Sequence, residues 1–532
     1  MSATRKRLIG TVTLVAAGPG DAELLTVRSV RALGNAQLVI ADADVIGLAH
    51  KFAKPDAEIV AAVDAAGLPL EHAARAKAVV DAAKDGRIVV RLLSGDPVFD
   101  GAFARESAAL VKAKIAFDFI PGVSTVSGIA GYTGIGLTST KSHEVRIVDG
   151  ANPDVNWADH ALSHITVVAL NAADRAVDIA KALIKAGRDQ HTPVVITRDG
   201  TTVDQRSVVT TLEELPTSVK TARHAGNGTM IIGEPVAKRG PLSWYESKPL
   251  FGWRVLLPRT KDSMHGLVGA LEHLGATVTE VPTISVEPPR TPQQMERAIH
   301  GLVSGRYEWI IFTSHNAVRA VWAKCQEYGL DARAFAGLKI ATTGEGTAAQ
   351  LATYGIRSDL SLAEHLATAD LLEDFPEFDE ILDPINRIFV PRADIATESL
   401  AAGLVELGWE VDDVTAYRTV RAAPPAAEIR DAIKSGGFDA VLFSSSSTVR
   451  NLVGIAGKPH PATVVACIGP QTAKTCEDHG LAVHVLSPEP NVEALLTAVA
   501  EHGATLRETA VAQGETSWRP SRRRTTVRRK VT

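Results

Sequence analysis

The sequence predicts an α/β protein with largely parallel sheets, and three observations carry that prediction. Strand-like apolar runs alternate with helical patterns almost throughout the 532 residues. Aromatic residues make up only 5%, so small side chains dominate, which suits tightly packed α/β layers. The second half of the chain repeats itself at an offset of about 130 residues.

At about 150 residues per domain, the length suggests three or four domains. With 45% hydrophobic and 22% charged residues, the chain reads as ordinary globular protein rather than a disordered one. A net charge of -5 argues against a nucleic-acid binder with a global positive field. Cys325, Cys467 and Cys476 are too few for a disulfide framework and lack metal-ligand spacing. A reduced, cytoplasmic protein without a metal centre is therefore expected. No stretch approaches the ~18 apolar residues that span a membrane.

The apolar run Leu8–Ala17 follows Arg5-Lys6-Arg7 and superficially resembles a signal peptide. It contains Thr11 and Thr13 and flows into Gly18-Pro19-Gly20-Asp21, so Thr11–Ala16 reads as a buried first strand. A helix over Leu24–Leu33, a strand over Leu38–Ala41 and a helix over Glu71–Ala83 follow. Further strands are predicted at Ile88–Leu92, Ile165–Leu170, Val194–Thr197 and Met230–Ile232. The pattern breaks at residues 241–251, where Pro241 and Pro249 flank Trp244 and Tyr245; this segment reads as a packed linker.

Beyond it lies the repeat. Pro258 leads into a helix ending at Gly275 and Pro391 into one ending at Gly408, a spacing of 17 residues in both copies. Ile311-Phe312-Thr313-Ser314 recurs as Leu442-Phe443-Ser444-Ser445, and Ile340–Gly344 with Thr347 recurs as Val465–Gly469 with Thr472. The pairs Pro288-Pro289 and Pro424-Pro425 follow the extended segments Thr283–Val286 and Tyr417–Val420, which read as crossovers. Two similar lobes are predicted: lobe one from 252–286 plus 421–502, and lobe two from 290–416. Two crossover strands join them, with a cleft between. Residues 503–532 are expected to form a disordered basic tail.

In the first half, Gly18-Pro19-Gly20-Asp21 follows a strand and opens a helix. Its glycines let a ligand approach the backbone, and the helix N-terminus favours negative charge; a tight turn without ligand is equally consistent. Ser94-Gly95-Asp96-Pro97, Pro121-Gly122-Val123-Ser124-Thr125, Tyr132, Gly134-Ile135-Gly136-Leu137-Thr138 and Asp199-Gly200-Thr201-Thr202 come after it in order. That order resembles the tetrapyrrole methylases over residues 8–240, and within them uroporphyrinogen-III C-methyltransferase. The resemblance implies a two-lobed α/β domain that binds S-adenosylmethionine through loop backbones and methylates uroporphyrinogen III to precorrin-2. It places cofactor contacts on Pro19, Ser94, Gly95, Asp96, Phe99, Ser124, Thr125, Leu170 and Gly200, and a proton acceptor on Asp42.

The chain departs from that pattern at several points. Asp64 stands where a basic proton donor is expected, Ser139-Thr140 where the family has His-Arg, and Leu170 where it has Met. Ala41 and Ser94 replace the Tyr and Gly of the neighbouring motifs. Lost cations weaken a grip on a polycarboxylate, so cofactor binding is expected while methyl transfer stays open. Members of this family tend to dimerise, which leaves open a homodimer through this domain.

Residues 252–502 resemble uroporphyrinogen-III synthase. The resemblance is carried by Val255–Arg259, Phe312–Val318, Gly344–Ala348, Pro391–Asp394, Tyr417-Arg418-Thr419, Phe443–Val449 and Ile468–Ala473. It implies a lyase that cyclises linear hydroxymethylbilane with inversion of the last pyrrole and needs no cofactor. A substrate rich in carboxylates calls for cations, hydroxyls and helix N-termini. Contacts are expected on Arg259, Thr313, Ser314, Thr347, Arg392, Ser444, Ser445, Gly469 and Thr472, with Lys261, Arg319, Arg418 and Arg450 nearby. Tyr417 matches the family's Tyr beside the cleft and is expected to give a proton to the departing hydroxyl. The leading reading is a fused enzyme of tetrapyrrole biosynthesis acting on small molecules. The alternatives are a synthase with an inactive methylase-like domain, and a non-enzymatic two-lobed binding protein.

Overall fold

The computed structural model describes residues 10–222, 228–259, 266–362, 372, 374–394, 399–514 and 518–521. The chain divides into two compact units. One comprises Met1–Arg254, Gly269–Thr277 and Ala500–Arg519, the other Val255–Val268, Val278–Val499 and Pro520–Thr532.

The first unit opens on β1 (Val12–Ala16), β2 (Leu38–Ala41), β3 (Glu58–Ala61), β4 (Val89–Leu93) and β5 (Phe117–Ile120), in the order β3-β2-β4-β1-β5. All four strand pairs are parallel. Parallel strands covered on both faces read as continuous apolar runs, and every residue of β2 and β4 is buried. Arg91 is the exception in kind: it is fully buried in the middle of β4.

The second sheet of this unit contains β6 (Glu144–Asp149), β7 (Ile165–Leu170), β8 (Pro193–Arg198), β9 (Arg206–Thr211) and β10 (Thr229–Ile232), in the order β6-β7-β10-β8-β9. Here the expectation of largely parallel sheets fails. Only β6 and β7 run parallel, while β10 is antiparallel to both its neighbours and β8 to β9. For β8 and β9 the reason is their short link, which permits a reversal but no crossover helix. Its core gathers Ile165, Val167, Ile179, Leu183, Val194 and Met230, all essentially inaccessible. In the segment predicted as a linker, Tyr245, Leu250 and Phe251 are buried.

The second unit carries the repeat. Its strands in chain order are β11 (Arg254–Arg259), β12 (Thr277–Pro282), β13 (Ile284–Glu287), β14 (Trp309–Phe312), β15 (Lys339–Thr343), β16 (Leu360–Leu362), β17 (Arg387–Ala393), β18 (Glu410–Arg421), β19 (Ala440–Phe443), β20 (Val464–Cys467) and β21 (Val485–Leu486). They form two sheets, β12-β11-β19-β20-β21 and β13-β18-β17-β14-β15-β16. The strands β14 and β19 are the equivalent apolar runs of the repeat, and both are wholly buried. The predicted crossovers, β13 and the end of β18, pair antiparallel from Ile284↔Arg421 to Glu287↔Arg418, so both extend the second of these sheets.

The tail differs from its prediction. A helix runs over Val492–Ala512, so residues 503–512 are ordered helix rather than disordered tail. Leu495, Val499, Gly503 and Ala510 lie at helical spacing and are buried, an apolar stripe that continues past residue 502. Residues 522–532, which hold most of the predicted basic cluster, lie outside the described residues.

Candidate functional site

Strand order explains how distant motifs of the first unit meet. Neighbours β2, β4, β1 and β5 end, respectively, at Asp42, Ser94-Gly95-Asp96, Gly18-Pro19-Gly20 and Ser124-Thr125. In open α/β sheets, ligands bind beyond the carboxyl ends of the strands. The loops touch: Gly18 N–H donates to Gly95 O at 3.2 Å. Gly95 has φ +61°, and a Cβ there would lie 3.7 Å from Thr125 Oγ1. That hydroxyl oxygen is buried and has no hydrogen-bond partner among the described residues. Ser124 stands at the N-cap position of the helix Thr125–Thr133 without a side-chain capping bond, and Phe99 is nearly half exposed.

The second sheet adds Leu170 at the end of β7 and Gly200 after β8. A Cβ on Gly200 would sit 2.7 Å from Ile129 Cγ1, so only glycine fits against that helix. Asn171, Asp199 and Thr201, immediately beside these two positions, hold positive φ angles of 53°, 49° and 68°. Strained backbone of this kind gathers at ligand clamps. Asn and Asp tolerate it best, a signal that the sequence reading passed over. The 199–202 turn is tied to the Gly-Pro-Gly-Asp loop, since Asp21 N–H donates to Thr201 Oγ1 at 3.0 Å. Tyr132 donates its hydroxyl to Asp21 Oδ2 at 2.7 Å. Burial, then the hydrogen bond and charge of Asp21, hold the Tyr132 phenol well above the ordinary tyrosine range, so it remains a donor.

Asp42 sits in a buried charge network. Its Oδ1 accepts from Arg91 Nη2 at 2.6 Å and lies 3.3 Å from Arg75 Nη1; its Oδ2 accepts from Ser94 N–H at 3.0 Å. Arg91 also binds both oxygens of Glu106, whose side chain is 1% exposed, and His72 Nδ1 lies 3.3 Å from the same carboxylate. Burial alone would lower the Arg91 guanidinium. The hydrogen bond and charge of Glu106, then those of Asp42, outweigh it and leave the group above its ordinary value. A guanidinium therefore stands beside Asp42 although Asp64, at the expected basic position, does not: its Oδ1 closes a turn by accepting from Ala66 and Leu68 N–H. Ser139, which replaces the family's His, donates to Glu234 at 2.5 Å. The grouping that could hold a metal ion among the described residues is His143, Glu144 and His164, whose ligand atoms lie within 4.8 Å of one another at the other ends of β6 and β7.

In the second unit, Tyr417 is 7% exposed and forms part of the wall of a cavity of about 320 Å³, with Asn316, Arg319, Glu287 and Met295. Its hydroxyl lies 3.0 Å from Ser314 Oγ. Ser314 lies two residues beyond β14 and caps the helix His315–Glu327 by accepting from Ala317 N–H at 3.2 Å. Thr313 is half-buried next to it. Ser445 is the equivalent cap of the helix Ser446–Ala456. It accepts from Thr448 N–H at 3.3 Å, forms a capping box with Thr448, and lies 2.9 Å from Ser447 Oγ. Ser444 precedes it, half-buried. Gly469 caps the helix Pro470–Asp478. Thr347 and Thr472 are 5% and 4% exposed, in the first turns of their helices. Backbone N–H groups, rather than those two hydroxyls, are what these turns offer a ligand.

Three of the predicted cations are paired with protein acids. Arg259 Nη1 lies 3.1 Å from Glu280, Arg392 pairs with Asp413, and Arg418 with Glu287. Arg319 donates to Gln350 Oε1 at 2.9 Å. Lys261 lies outside the described residues. A bound carboxylate would share these guanidinium groups with protein acids.

Two family models match the chain: residues 266–497 match uroporphyrinogen-III synthase HemD, and residues 11–216 match the tetrapyrrole (corrin/porphyrin) methylases. The porphyrin biosynthesis protein HemD of Ruminiclostridium josui is 28% identical over 507 residues, covering 93% of this chain and 98% of that protein. The siroheme synthase of Azotobacter vinelandii is 35% identical over 250 residues, covering 46% of this chain and 53% of its own length. The chain thus spans about half the length of the siroheme synthases it matches. Among solved structures, a uroporphyrin-III C-methyltransferase from Thermus thermophilus is 28% identical, covering 43% of this chain and all of that one, with a TM-score of 0.38. No helix among the described residues is long and apolar enough to cross a membrane.

Proposed function

We propose that the chain joins a tetrapyrrole methylase region to a uroporphyrinogen-III synthase region and works in the cytoplasm as a two-part enzyme of tetrapyrrole biosynthesis. The synthase region cyclises hydroxymethylbilane to uroporphyrinogen III, with loss of water. The observation that supports this reading is Tyr417, which forms part of the wall of a cavity and whose hydroxyl lies beside the cap of the helix His315–Glu327. A phenol is a weak acid, with a usual pKa near 10, and the reaction asks only for a mild one. The substrate's carboxylates are held by the helix N-termini after Ser314, Ser445 and Gly469, with Thr313, Ser444, Arg259 and Arg392 at the strand ends.

The methylase region binds S-adenosylmethionine. The unpartnered, buried Thr125 oxygen beside the Gly95 cradle is the kind of group a polar ligand would satisfy. The backbone around Pro19, Ser94, Gly95, Asp96 and Gly200 holds the cofactor, together with Phe99, Ser124, Thr125 and Leu170. When bound, the cofactor supplies an electrophilic methyl group for uroporphyrinogen III. Asp42 has both oxygens engaged, which favours a second reading in which this region binds the cofactor without methyl transfer.

Incubating the full chain with hydroxymethylbilane, with and without methyl-labelled S-adenosylmethionine, tests both parts. The type III isomer is expected, and a product of type I alone would sink the synthase reading. Label in the tetrapyrrole supports methyl transfer; cofactor binding without label supports the second reading. A homodimer through the first region is also proposed, to be checked by sedimentation.

A further inference from the structure

The two capping serines just beyond β14 and β19 have the same local task but different second partners. A hydroxyl offers one hydrogen and two lone pairs. At Ser314, the Ala317 N–H takes one lone pair at 3.2 Å, and the Tyr417 oxygen lies 3.0 Å away. At Ser445, the cap is equally made, to Thr448 N–H, and the second neighbour is Ser447 of the same turn. Capping therefore does not require a phenol as second partner. The Tyr417 main chain is held independently, in β18 and by Asp394 N–H donating to its carbonyl at 3.1 Å. What remains to be set at Tyr417 is the direction of its hydroxyl hydrogen.

We infer that Ser314 is a positioning residue for Tyr417, donating its hydroxyl hydrogen to the phenol oxygen so that the phenol's own hydrogen points to substrate. This rests on the synthase reading above. The hydroxymethyl C–O bond breaks with its electron pair on oxygen, and that oxygen takes the Tyr417 proton and leaves as water. Ser314 then stabilises the phenolate oxygen. The proton released when ring closure restores the pyrrole returns to the phenolate, so no other reactant is consumed. Ser314 thus acts through Tyr417 and is not itself a contact to a substrate carboxylate.

The test is a double-mutant cycle on the full chain with hydroxymethylbilane, following the type III isomer. Ser314→Ala should lower kcat about tenfold or more, as expected for loss of a hydrogen bond to a charged oxygen, with KM within about twofold. In a Tyr417→Phe background the same change should cost nothing further. Ser314→Thr should restore most of the loss. Ser314→Asn keeps a good cap and moves the polar atoms, so it should melt like the parent and be as slow as Ser314→Ala. An equal factor in both backgrounds, a raised KM, or full activity in Ser314→Asn would overturn the inference while leaving the synthase reading intact. A parent enzyme that yields only the type I isomer overturns that reading instead.

Discussion

Asp42 and Tyr417 are the two groups for which proton transfer is proposed, and their surroundings are opposite in kind. Asp42 is one node of a buried network of charges: Arg91, Glu106, Arg75 and His72. Tyr417 has one neutral hydroxyl at its tip and a cavity beside it. The contrast predicts different failures. A change in the charge network is felt first as stability, because a buried ion that loses its partner is not rehydrated. A change at the phenol is felt first as rate, because neutral hydroxyls exchange partners at little cost.

The largest expected effect is at Glu106. Its side chain is 1% exposed and it binds Arg91 through both oxygens. Glu106→Ala leaves a fully buried guanidinium with only Asp42 as its acid, and should destabilise the first unit by about 3–5 kcal/mol. Chemical denaturation of the full chain, followed through the buried Trp157 of that unit, would register it. A loss below about 1 kcal/mol, the range of surface pairs, would show that the network is looser than its distances imply. Synthase turnover should be nearly unchanged.

Asp42→Asn comes next. An amide can still turn its oxygen to Arg91 and Arg75, but its NH₂ then faces the Ser94 N–H, a donor against a donor. About 1–3 kcal/mol of stability should be lost. Because Asp42 Oδ2 holds the Ser94 N–H at the head of the predicted cofactor loop, S-adenosylmethionine binding should weaken as well. Calorimetric titration checks this; unchanged affinity would separate Asp42 from the loop and leave it to catalysis alone.

Much of this arrangement could be read from the sequence, and what could not be read follows a rule. Continuous apolar runs gave the strands, and the 17-residue Pro-to-Gly spacing gave the two-lobed repeat. Motifs that end strands were legible as loops at one edge because parallel sheets align their carboxyl ends. Partnerships across strands were not legible, since they depend on register. Glu287 lies directly opposite Arg418 only because β13 and β18 pair antiparallel, and the predicted substrate cations are occupied for reasons of this sort. One clue was present: Arg91 in the run Val89-Val90-Arg91-Leu92-Leu93 had to be paired if that strand was buried on both faces. The departure of the helix Val492–Ala512 from the predicted tail arose from reading the basic end of the segment instead of its apolar stripe.

The two equivalent caps sharpen the comparison on a smaller scale. Ser314→Ala and Ser445→Ala each remove one side-chain cap, and each should cost about 1 kcal/mol. Equal losses of stability with unequal kinetics are the expected outcome: kcat falls for Ser314→Ala and holds for Ser445→Ala. If both variants lose kcat equally, the neighbour of Ser314 is not what distinguishes the two strand ends.

The smallest effect concerns a charge that the folded first unit refuses. Burial, and after it the charge of Arg146, hold the His160 imidazole below its ordinary value. The ring is half-buried and packs edge-on against Trp157 at 5.8 Å, and its Nδ1 has no hydrogen-bond partner among the described residues. An unfolded histidine titrates near 6.5. Above that pH neither state binds the proton, and the residue contributes nothing to pH dependence. As the pH falls below about 6.5, the unfolded chain takes up a proton that the folded chain does not, so stability declines. The decline ends once the pH passes the lower folded value and both states are charged. His160→Gln removes this titration and should flatten the slope of stability just below about pH 6.5, without altering stability's dependence on pH above 7. The Arg188 bond to this residue uses the His160 carbonyl, so the substitution leaves it in place. Denaturation midpoints of parent and variant at matched pH values give the slope directly. A variant that loses stability with acid as steeply as the parent would mean that groups other than His160 carry the acid sensitivity of the first unit.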